Sequence, residues 1–299
     1  MPRSGSTLTD LMLDGLPGHV AVGELFYLWR NGVQRDNLCS CGAAFSRCPF
    51  WDAVGEVAFG GWSGALATRV LRLQDEVDRT SRIPLLLSRR GSAAFRAALA
   101  EYDDVLGRLY RAIRDVSGER VVVDSSKRPS LAYVLRGARD VDLRVVHVLR
   151  DPRGVAYSFS KVVPLPAGAS HESTMPRSST LKVARRWNTV NASISALRAT
   201  GVPLVQVRYE DLVAHPQQQL RRVAALRPDL PLALGDLSFV EDGVLRTGTT
   251  HVVVGGRVRL GDDAVRLRLD EAWRREMPGR SRRAVSALTA PARAVYGYR

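Results

Sequence analysis

The sequence predicts an α/β fold, with three layers in which helices cover both faces of a central, mainly parallel sheet. Short runs rich in β-branched residues are typical of strands buried on both faces, and they lie at 120–123, 143–149 and 203–207. Stretches with the helical spacing of apolar residues fill the intervals, at 93–116, 129–136 and 180–199. This alternation favours parallel strands joined by crossover helices.

Length and composition suit one large domain. The chain has 299 residues, of which 45% are hydrophobic and 25% are charged, and a chain of this length buries a substantial core. No apolar stretch approaches the ~20 residues of a membrane span, and the N-terminus has no signal-peptide pattern. We therefore expect a cytoplasmic protein without a membrane span. Segments 160–179 and 235–261 are predicted to be mobile loops that cover a site.

The chain is strongly basic, with 44 Lys and Arg against 30 Asp and Glu, which gives a net charge of +14. Such an excess raises the local concentration of an anionic cofactor or an acidic acceptor. The basic residues are spread along the chain, without the clustered tract or interleaved aromatic residues of a nucleic-acid-binding surface. The charge therefore favours a small anionic ligand over nucleic acid.

The chain opens on a loop of small residues, P-R-S-G-S-T-L, which leads directly into an amphipathic helix. A helix N-terminus offers unpaired N–H groups and the positive end of the helix dipole to an anion. The candidate binding residues are Arg3, Ser4, Gly5, Ser6, Thr7 and Leu8. An ATP-binding loop would carry a Lys before its final Ser or Thr, and this loop has none. The alternative is a capped helix start without a ligand.

A second anion-handling segment is V-V-H-V-L-R-D-P-R-G-V-A-Y-S at 145–158. Its buried strand delivers Arg150 to the edge of the sheet where α/β proteins bind ligands, and Ser158 lies about two turns into the following helix. This pair would bracket a further phosphate. The alternative is a structural ion pair of Arg150 with Asp151 or Asp124.

Together these segments resemble the sulfotransferases that use 3′-phosphoadenosine 5′-phosphosulfate (PAPS). Three further segments match in the order of the family, namely V-V-V-D-S-S-K at 121–127, V-R-Y-E-D-L-V-A-H-P at 207–216 and H-V-V-V-G-G-R-V-R-L at 251–260. Arg3 stands where the cytosolic branch typically has Lys, so the sequence is more similar to the bacterial and tyrosylprotein-type branch. The resemblance implies a P-loop NTPase-like sulfotransferase fold over residues 1–299, with a Cys-containing insert near 36–62 and a cofactor-covering loop near 235–261.

The resemblance implies transfer of a sulfuryl group from PAPS to a hydroxyl of a small metabolite or glycoconjugate, with 3′-phosphoadenosine 5′-phosphate as product. A sulfuryl group carries less charge than a phosphoryl group, so cationic side chains suffice and no metal is required. Lys127, with Arg3, is assigned to the transferring sulfonate, and Ser126 and Ser125 add hydrogen bonds. The alternative for Lys127 is a salt-bridged Lys at a strand end.

The transfer also needs a base that takes the proton of the acceptor hydroxyl. Glu24 matches the catalytic Glu that follows the first helix in the tyrosylprotein-type branch. The alternatives are His19, His147, His171 and His251. Of these, we expect His147 in a core strand and His19 in a loop, while His251 would orient the cofactor loop.

The remaining expected cofactor contacts are assigned at positions that match the motifs of the sulfotransferase family. Tyr209 would reach the adenine or its ribose, or would be a core residue instead. Gly255 and Gly256 would allow a close backbone approach, and Arg257 or Arg259 would close over the 3′-phosphate. The family commonly has G-N-P at this point, whereas this chain has Gly-Gly-Arg.

Three cysteines form a compact C-x-C-x6-C cluster, at Cys39, Cys41 and Cys48. Three thiolates and a His would bind zinc, but no fourth ligand is nearby in the sequence, so we expect a structural insert on the acceptor side rather than a metal or redox site. Nearby aromatic residues would line an apolar acceptor pocket or belong to the core: Tyr27, Trp29, Phe45, Phe50 and Trp51.

One departure from the family concerns the sheet. The resemblance implies a buried strand before the first anion-binding loop, whereas this sequence opens at the loop itself. Two explanations are a translation start placed too late and another segment that fills this position.

Two functions compete with sulfuryl transfer. One is a magnesium-dependent kinase of related fold, and the other is a nucleotide- or polyanion-binding module without turnover.

Overall fold

The computed structural model describes residues 1–165, 174–254 and 264–298. The strands are β1 His19–Gly23, β2 Val121–Asp124, β3 Val145–Leu149, β4 Leu204–Arg208, β5 Val240–Glu241, β6 Val244–Arg246 and β7 Ala264–Arg266. The helices are α1 Ser6–Asp14, α2 Pro49–Phe59, α3 Gly64–Val77, α4 Ile83–Ser88, α5 Ala93–Ser117, α6 Pro129–Leu135, α7 Pro152–Ser160, α8 Thr180–Ala196, α9 Tyr209–Ala214, α10 Pro216–Ala224, α11 Trp273–Glu276 and α12 Gly279–Val295. Short 3₁₀ turns cover Leu25–Tyr27, Phe45–Arg47, Thr80–Arg82 and Leu197–Thr200, and a π-helix covers Trp29–Gln34.

The parallel strands form two pairs. β1 lies parallel to β2, and β3 lies parallel to β4. A small antiparallel sheet contains β5, β6 and β7. The predicted α/β class with parallel strands is thus confirmed. A continuous central sheet is not found within the described residues, where the two parallel pairs are separate.

A cavity of about 670 Å³ lies between the two parallel pairs. It is lined by consecutive residues of β2 and of β3, at 121–124 and 145–148. Side chains of consecutive strand residues point to opposite faces, so the cavity borders the edges of these strands rather than one face. Among the described residues, no strand pairs with β2 or β3 on this side. The explanation that another segment fills the central position is therefore wrong for the part of the chain that is described.

Most predicted elements are present, with shifted boundaries. The strand predicted at 120–123 is β2, and the helix predicted at 93–116 is α5. β1 was not predicted, because its apolar run is only three residues long. The prediction of a loop over 235–261 is wrong in part, since β5 and β6 lie within it. Strands of two or three residues are too short to show a period in the sequence.

The main hydrophobic core surrounds α5, which runs over 25 residues. The hydroxyl of Ser92 accepts a hydrogen bond from the Phe95 N–H at the start of the helix, and Gly118 ends it in the left-handed conformation. Its buried face, with Tyr102 and Leu109, packs against α2 and α3. A second core joins α7, α8 and α12 around the fully buried Trp187. Among the described helices, none combines the length and the apolar character needed to cross a bilayer.

The end of β1 lies against the segment that carries His251. Gly23 has a φ of 72°, and a Cβ atom there would lie 2.4 Å from Val252 Cγ1 and 2.5 Å from the Val254 carbonyl oxygen. The Glu24 N–H donates a hydrogen bond of 3.0 Å to this same carbonyl. Glycine is therefore required at this position by both conformation and space.

Replacing this glycine tests the contact. The control is Gly118→Ala. Gly118 also has a positive φ, of 73°, but a Cβ atom added there would meet no atom within 4 Å, so we expect this variant to lose about 1 kcal/mol of stability. Gly23→Ala adds an overlap with Val252 and should cost a further ~1–3 kcal/mol. Urea unfolding of both variants measures the difference. Equal losses would contradict the described packing of 252–254 on β1.

Candidate active site

The N-terminal loop is shaped by Gly5, which precedes α1. Gly5 has a φ of 85°, and a Cβ atom at this position would lie 2.4 Å from the ring of Tyr209. The carbonyl of Gly5 accepts the first hydrogen bond of the helix, from the Thr9 N–H. The small residue therefore lets the loop rest on the Tyr209 ring, and the positive end of α1 faces the space beyond it.

Arg3 supplies the positive charge of this loop. Its backbone is also left-handed, with a φ of 66°. Its guanidinium lies 5.6 Å from the ring centroid of Phe159, and burial lowers the pKa of Arg3. Its Nη2 atom is buried and has no hydrogen-bond partner among the described residues. A buried donor without a partner beside a helix N-terminus fits an oxyanion, as phosphate or sulfonate would provide.

Arg150 lies at the end of β3 and contacts the first loop directly. It is 7% exposed, and its Nη1 donates a hydrogen bond of 3.2 Å to the Arg3 carbonyl. Its guanidinium lies 4.6 Å from the ring centroid of Tyr209. The two predicted anion-binding segments, far apart in sequence, thus meet on the same side of the molecule, around one tyrosine ring.

The ion-pair partner of Arg150 is neither of the two carboxylates weighed from the sequence. Asp151 pairs with Arg153 instead, and Asp124 accepts a hydrogen bond from Tyr110. Arg150 Nη2 is 2.9 Å from Asp270 Oδ2. Burial opposes the ionisation of Asp270, but the hydrogen bond and the charge of Arg150, together with the hydrogen bond from the Ala272 N–H and the charge of Lys161, hold the pKa of Asp270 below its usual value. The guanidinium of Arg150 therefore already has a carboxylate partner, Asp270, from the C-terminal part of the chain.

Tyr209 begins α9 and is 8% exposed. Its hydroxyl accepts a hydrogen bond from the Asp270 N–H and donates one to the Arg268 carbonyl, both of 3.3 Å. The ring is therefore a packed spacer between Gly5 and Arg150, and its hydroxyl holds the chain that presents Asp270.

The other predicted cofactor residues are placed only in part. Ser158 lies on α7 and is half-buried. The positions of Gly255, Gly256, Arg257 and Arg259 lie outside the described residues, as does His171.

Glu24 and Lys127 form a largely buried ion pair. Glu24 follows β1 and Lys127 follows β2, so the parallel pairing of these strands brings both to the same edge of the sheet. Lys127 Nζ lies 2.6 Å from Glu24 Oε1, and the two side chains are 9% and 14% exposed. Lys127 thus forms the salt bridge that was weighed as its structural alternative, and its partner is Glu24, the predicted base.

A hydrogen-bond network around Asp124 fixes this edge. The carboxylate of Asp124 accepts hydrogen bonds from the Leu25 N–H, the Ser126 N–H and the Tyr110 hydroxyl, at 3.3, 2.7 and 2.6 Å. The hydroxyl of Ser126 accepts one from the Phe26 N–H at 2.9 Å. These bonds tie the turns after β1 and β2 together, which holds the ion pair in place.

Asp10 is a site residue that the sequence analysis missed. It lies on α1, and the Ser125 hydroxyl donates a hydrogen bond of 3.2 Å to its Oδ2. Burial raises the pKa of Asp10 to about 8, although the charge of Lys127 acts in the opposite direction. Its signal in the sequence was a single acidic residue between the apolar positions Leu8 and Leu11. Both Asp10 and Lys127 line the cavity between the strand pairs.

The histidines weighed as alternative bases lie elsewhere. His147 is buried in β3 beside Asn191, and burial lowers its pKa to about 4, which fits the expected core residue. His19 begins β1, so its prediction as a loop residue is wrong. His251 lies against Cys48, with 3.3 Å between Nδ1 and Sγ.

The aromatic residues proposed to line an acceptor pocket are mostly core. Trp29 and Trp51 are 0% exposed, and Phe45 is 3% exposed. Trp29 packs against Trp62, with ring centroids 5.7 Å apart. Only Tyr27 and Phe50 of this set are partly exposed.

Comparisons with known proteins agree with this architecture. Residues 100–227 match the sequence profile of the sulfotransferase family. The sulfotransferase domain of the Synechococcus PCC 7002 olefin synthase is 19% identical, with a TM-score of 0.53, over 100% of this chain and 92% of that chain. The sulfotransferase domain of the curacin biosynthetic pathway is also 19% identical, with a TM-score of 0.48, over 96% and 94%. No curated protein matches significantly in sequence.

The α/β fold is similar to that of a known sulfotransferase domain. The family match over residues 100–227 agrees with the resemblance to sulfotransferases predicted from the motifs.

The buried carboxyl of Asp10 predicts a pH-dependent stability. Its folded pKa of about 8 exceeds the ordinary value of 3.8, so its contribution to stability is full below the ordinary value and is lost as the pH rises to the folded one. Asp10→Asn should therefore gain stability relative to the wild type across this window, by up to about 1.4 kcal/mol per unit of pKa shift. Urea unfolding at about pH 4, 6 and 8 measures this.

The matched control is Asp75→Asn, at a side chain that is 76% exposed. Its effect on the free energy of unfolding should stay nearly constant over the same pH range. If Asp10→Asn also gave a constant difference, Asp10 would not be a neutral carboxyl in the folded protein.

Proposed function

We propose that the protein is a PAPS-dependent O-sulfotransferase that acts on a hydroxyl of a small metabolite or glycoconjugate. The observation that carries the proposal is the Glu24–Lys127 pair, which lies at the edge of β1 and β2 next to the N-terminus of α1. The contact between Ser125 and Asp10 links this edge to α1. An acid–base pair and an anion site therefore share one region.

The anion site suits a nucleotide with two separate phosphate groups. The N-terminus of α1, with the partnerless Nη2 of Arg3, would bind the 5′-phosphosulfate, and Ser4, Ser6 and Thr7 would add hydroxyl donors. Arg150, with Ser158, would bind the 3′-phosphate, for which Asp270 must release part of the guanidinium. The ring of Tyr209 packs against both Gly5 and the Arg150 guanidinium and thereby supports both proposed sites.

The proposed reaction moves a sulfuryl group from the phosphate oxygen of the donor to the oxygen of the acceptor. Glu24 Oε1 accepts the proton of the acceptor hydroxyl as the new S–O bond forms. Lys127 Nζ stabilises the negative charge that develops on the single oxygen bridging sulfur and phosphorus, which leaves with the phosphate as the old S–O bond breaks. The ion pair opens when each group turns to its own partner.

The remaining proposed contacts belong to the segment after Val254. Residues 251–254 lie against Gly23 and Glu24, so the chain leaves this point beside the proposed base. We propose that Gly255 and Gly256, with Arg257 or Arg259, close over the nucleotide, as the motif implies.

Nucleotide affinity tests the anion sites. We expect 3′-phosphoadenosine 5′-phosphate to bind at least ~10-fold more tightly than ADP, because only the former has a 3′-phosphate for Arg150. Arg150→Ala should remove most of this preference and leave the affinity for ADP nearly unchanged. Isothermal titration calorimetry at fixed salt measures both constants.

The matched control is Arg246→Ala, at an exposed arginine of β6. It should preserve the preference. Equal affinities of the wild type for the two nucleotides would overturn the proposed donor, and tighter binding of ATP with magnesium would favour the competing kinase.

Substitution of the ion pair tests the chemistry. Glu24→Gln should lower kcat by about 10²–10⁴, because the amide cannot accept the acceptor proton, and should change the affinity for 3′-phosphoadenosine 5′-phosphate less than about threefold. Transfer of labelled sulfate to a panel of phenols and alcohols gives kcat. Glu241→Gln, at an exposed glutamate of β5, is the control and should keep full activity. Full activity of Glu24→Gln would exclude Glu24 as the base, and nucleotide binding without any turnover would favour the inactive binding module.

A further inference from the structure

The strongest group of side chains outside the proposed active site is the cysteine cluster with one histidine. Cys39, Cys41, Cys48 and His251 direct one ligand atom each into a common space, with all four atoms within 4.8 Å of one another. The sequence alone favoured a structural insert without metal, because no fourth ligand was near. The fold supplies it from 203 residues beyond Cys48.

Four of the six separations between the ligand atoms are close to those of a tetrahedral zinc site. The sulfur of Cys48 lies 3.6 Å from that of Cys41 and 3.7 Å from that of Cys39. His251 Nδ1 lies 3.3 Å from the sulfur of Cys48 and 3.8 Å from that of Cys39. Ligands around one zinc ion, at Zn–S of about 2.3 Å and Zn–N of about 2.0 Å, are about 3.5–3.8 Å apart. A disulfide would need sulfurs about 2.05 Å apart.

The local backbone presents the cysteines as ligands. Cys39 and Cys41 lie on a tight turn closed by the hydrogen bond from the Cys39 N–H to the Ala43 carbonyl, with Gly42 at a φ of 89°. Cys48 lies directly before the first turn of α2, where the helix dipole favours a thiolate.

His251 is held in place from both sides. Ser40, between the first two cysteines, donates its hydroxyl proton to the Thr250 carbonyl at 2.7 Å and accepts a hydrogen bond from the Val252 N–H at 2.8 Å. The ring of Phe50 stacks on the His251 ring, with centroids 4.8 Å apart. The Trp51 indole donates a hydrogen bond to the His251 carbonyl. Such outer contacts fix the orientation of a metal ligand.

We propose that Cys39, Cys41, Cys48 and His251 bind one structural Zn²⁺ ion. Three thiols release their protons on binding, and the three thiolates with one neutral imidazole fill all four positions of the ion, so no open position is left for catalysis. The zinc joins the insert near 36–62 to the segment 250–254. That segment contacts Gly23 and Glu24, so the ion anchors the chain beside the proposed base.

Metal analysis of the full chain, purified without a histidine tag, tests this directly. We expect about one zinc ion per chain by mass spectrometry, and a cobalt-substituted protein with the visible absorption bands of tetrahedral cobalt and the near-ultraviolet band of cobalt–thiolate bonds. His251→Ala should weaken zinc binding at least about tenfold in competition with a chromophoric chelator. His251→Cys should restore tight binding with a shifted cobalt spectrum. The control His215→Ala, at an exposed histidine, should keep one ion.

Removal of the metal gives a second readout. A strong chelator should lower the unfolding temperature of the wild type and should expose three thiols to a thiol reagent, whereas Cys41→Ser should show a much smaller shift. A wild type with no bound zinc, no cobalt–thiolate band after reconstitution and three freely reactive thiols would overturn the proposal, even if a variant failed to fold. These measurements need no nucleotide or acceptor, so they stand apart from the proposed sulfuryl transfer.

Discussion

The proposed chemistry depends on the parallel pairing of β1 with β2. This pairing brings residues 24 and 127 to the same edge, where their opposite charges meet in a largely buried ion pair. A buried charge is tolerated only with a partner, so loss of either side chain would leave an uncompensated charge as well as remove a reactive group. Asp124 holds both turns through three hydrogen bonds and thereby limits how far the pair can separate.

The anion sites depend on a second constraint, the position of the Tyr209 ring. Gly5 rests on this ring and Arg150 lies over it, so the loop before α1 and the end of β3 keep a fixed distance. The tyrosine is thus a core residue, and its contact with the adenine or ribose stays a prediction. Asp270 meanwhile acts as an internal anion at Arg150, and the 3′-phosphate of the proposed donor would compete with it.

The sequence predicted those parts of the fold and site that depend on local patterns. Arg150 and Lys127 were found because each follows a recognisable apolar strand, and Gly5 because small residues precede an amphipathic helix. The ion-pair partner of Arg150 and the fourth member of the cysteine cluster were not found, since Asp270 and His251 lie more than a hundred residues from the groups they contact. β1 was missed because three apolar residues carry too little periodicity, and the neutral carboxyl of Asp10 depends on burial that only packing creates.

The cavity between the strand pairs has a mechanical consequence. In an ordinary parallel sheet the backbone ladder transmits force from one strand to the next, but among the described residues no such ladder joins β2 to β3. The half that carries the ion pair is therefore connected to the half that carries Arg150 through side-chain contacts, which include the packing of α1 against β4, α9 and α10 and that of α6 against α8. Side-chain contacts yield more readily than a ladder of hydrogen bonds, so this molecule is softest along the line that separates its two halves.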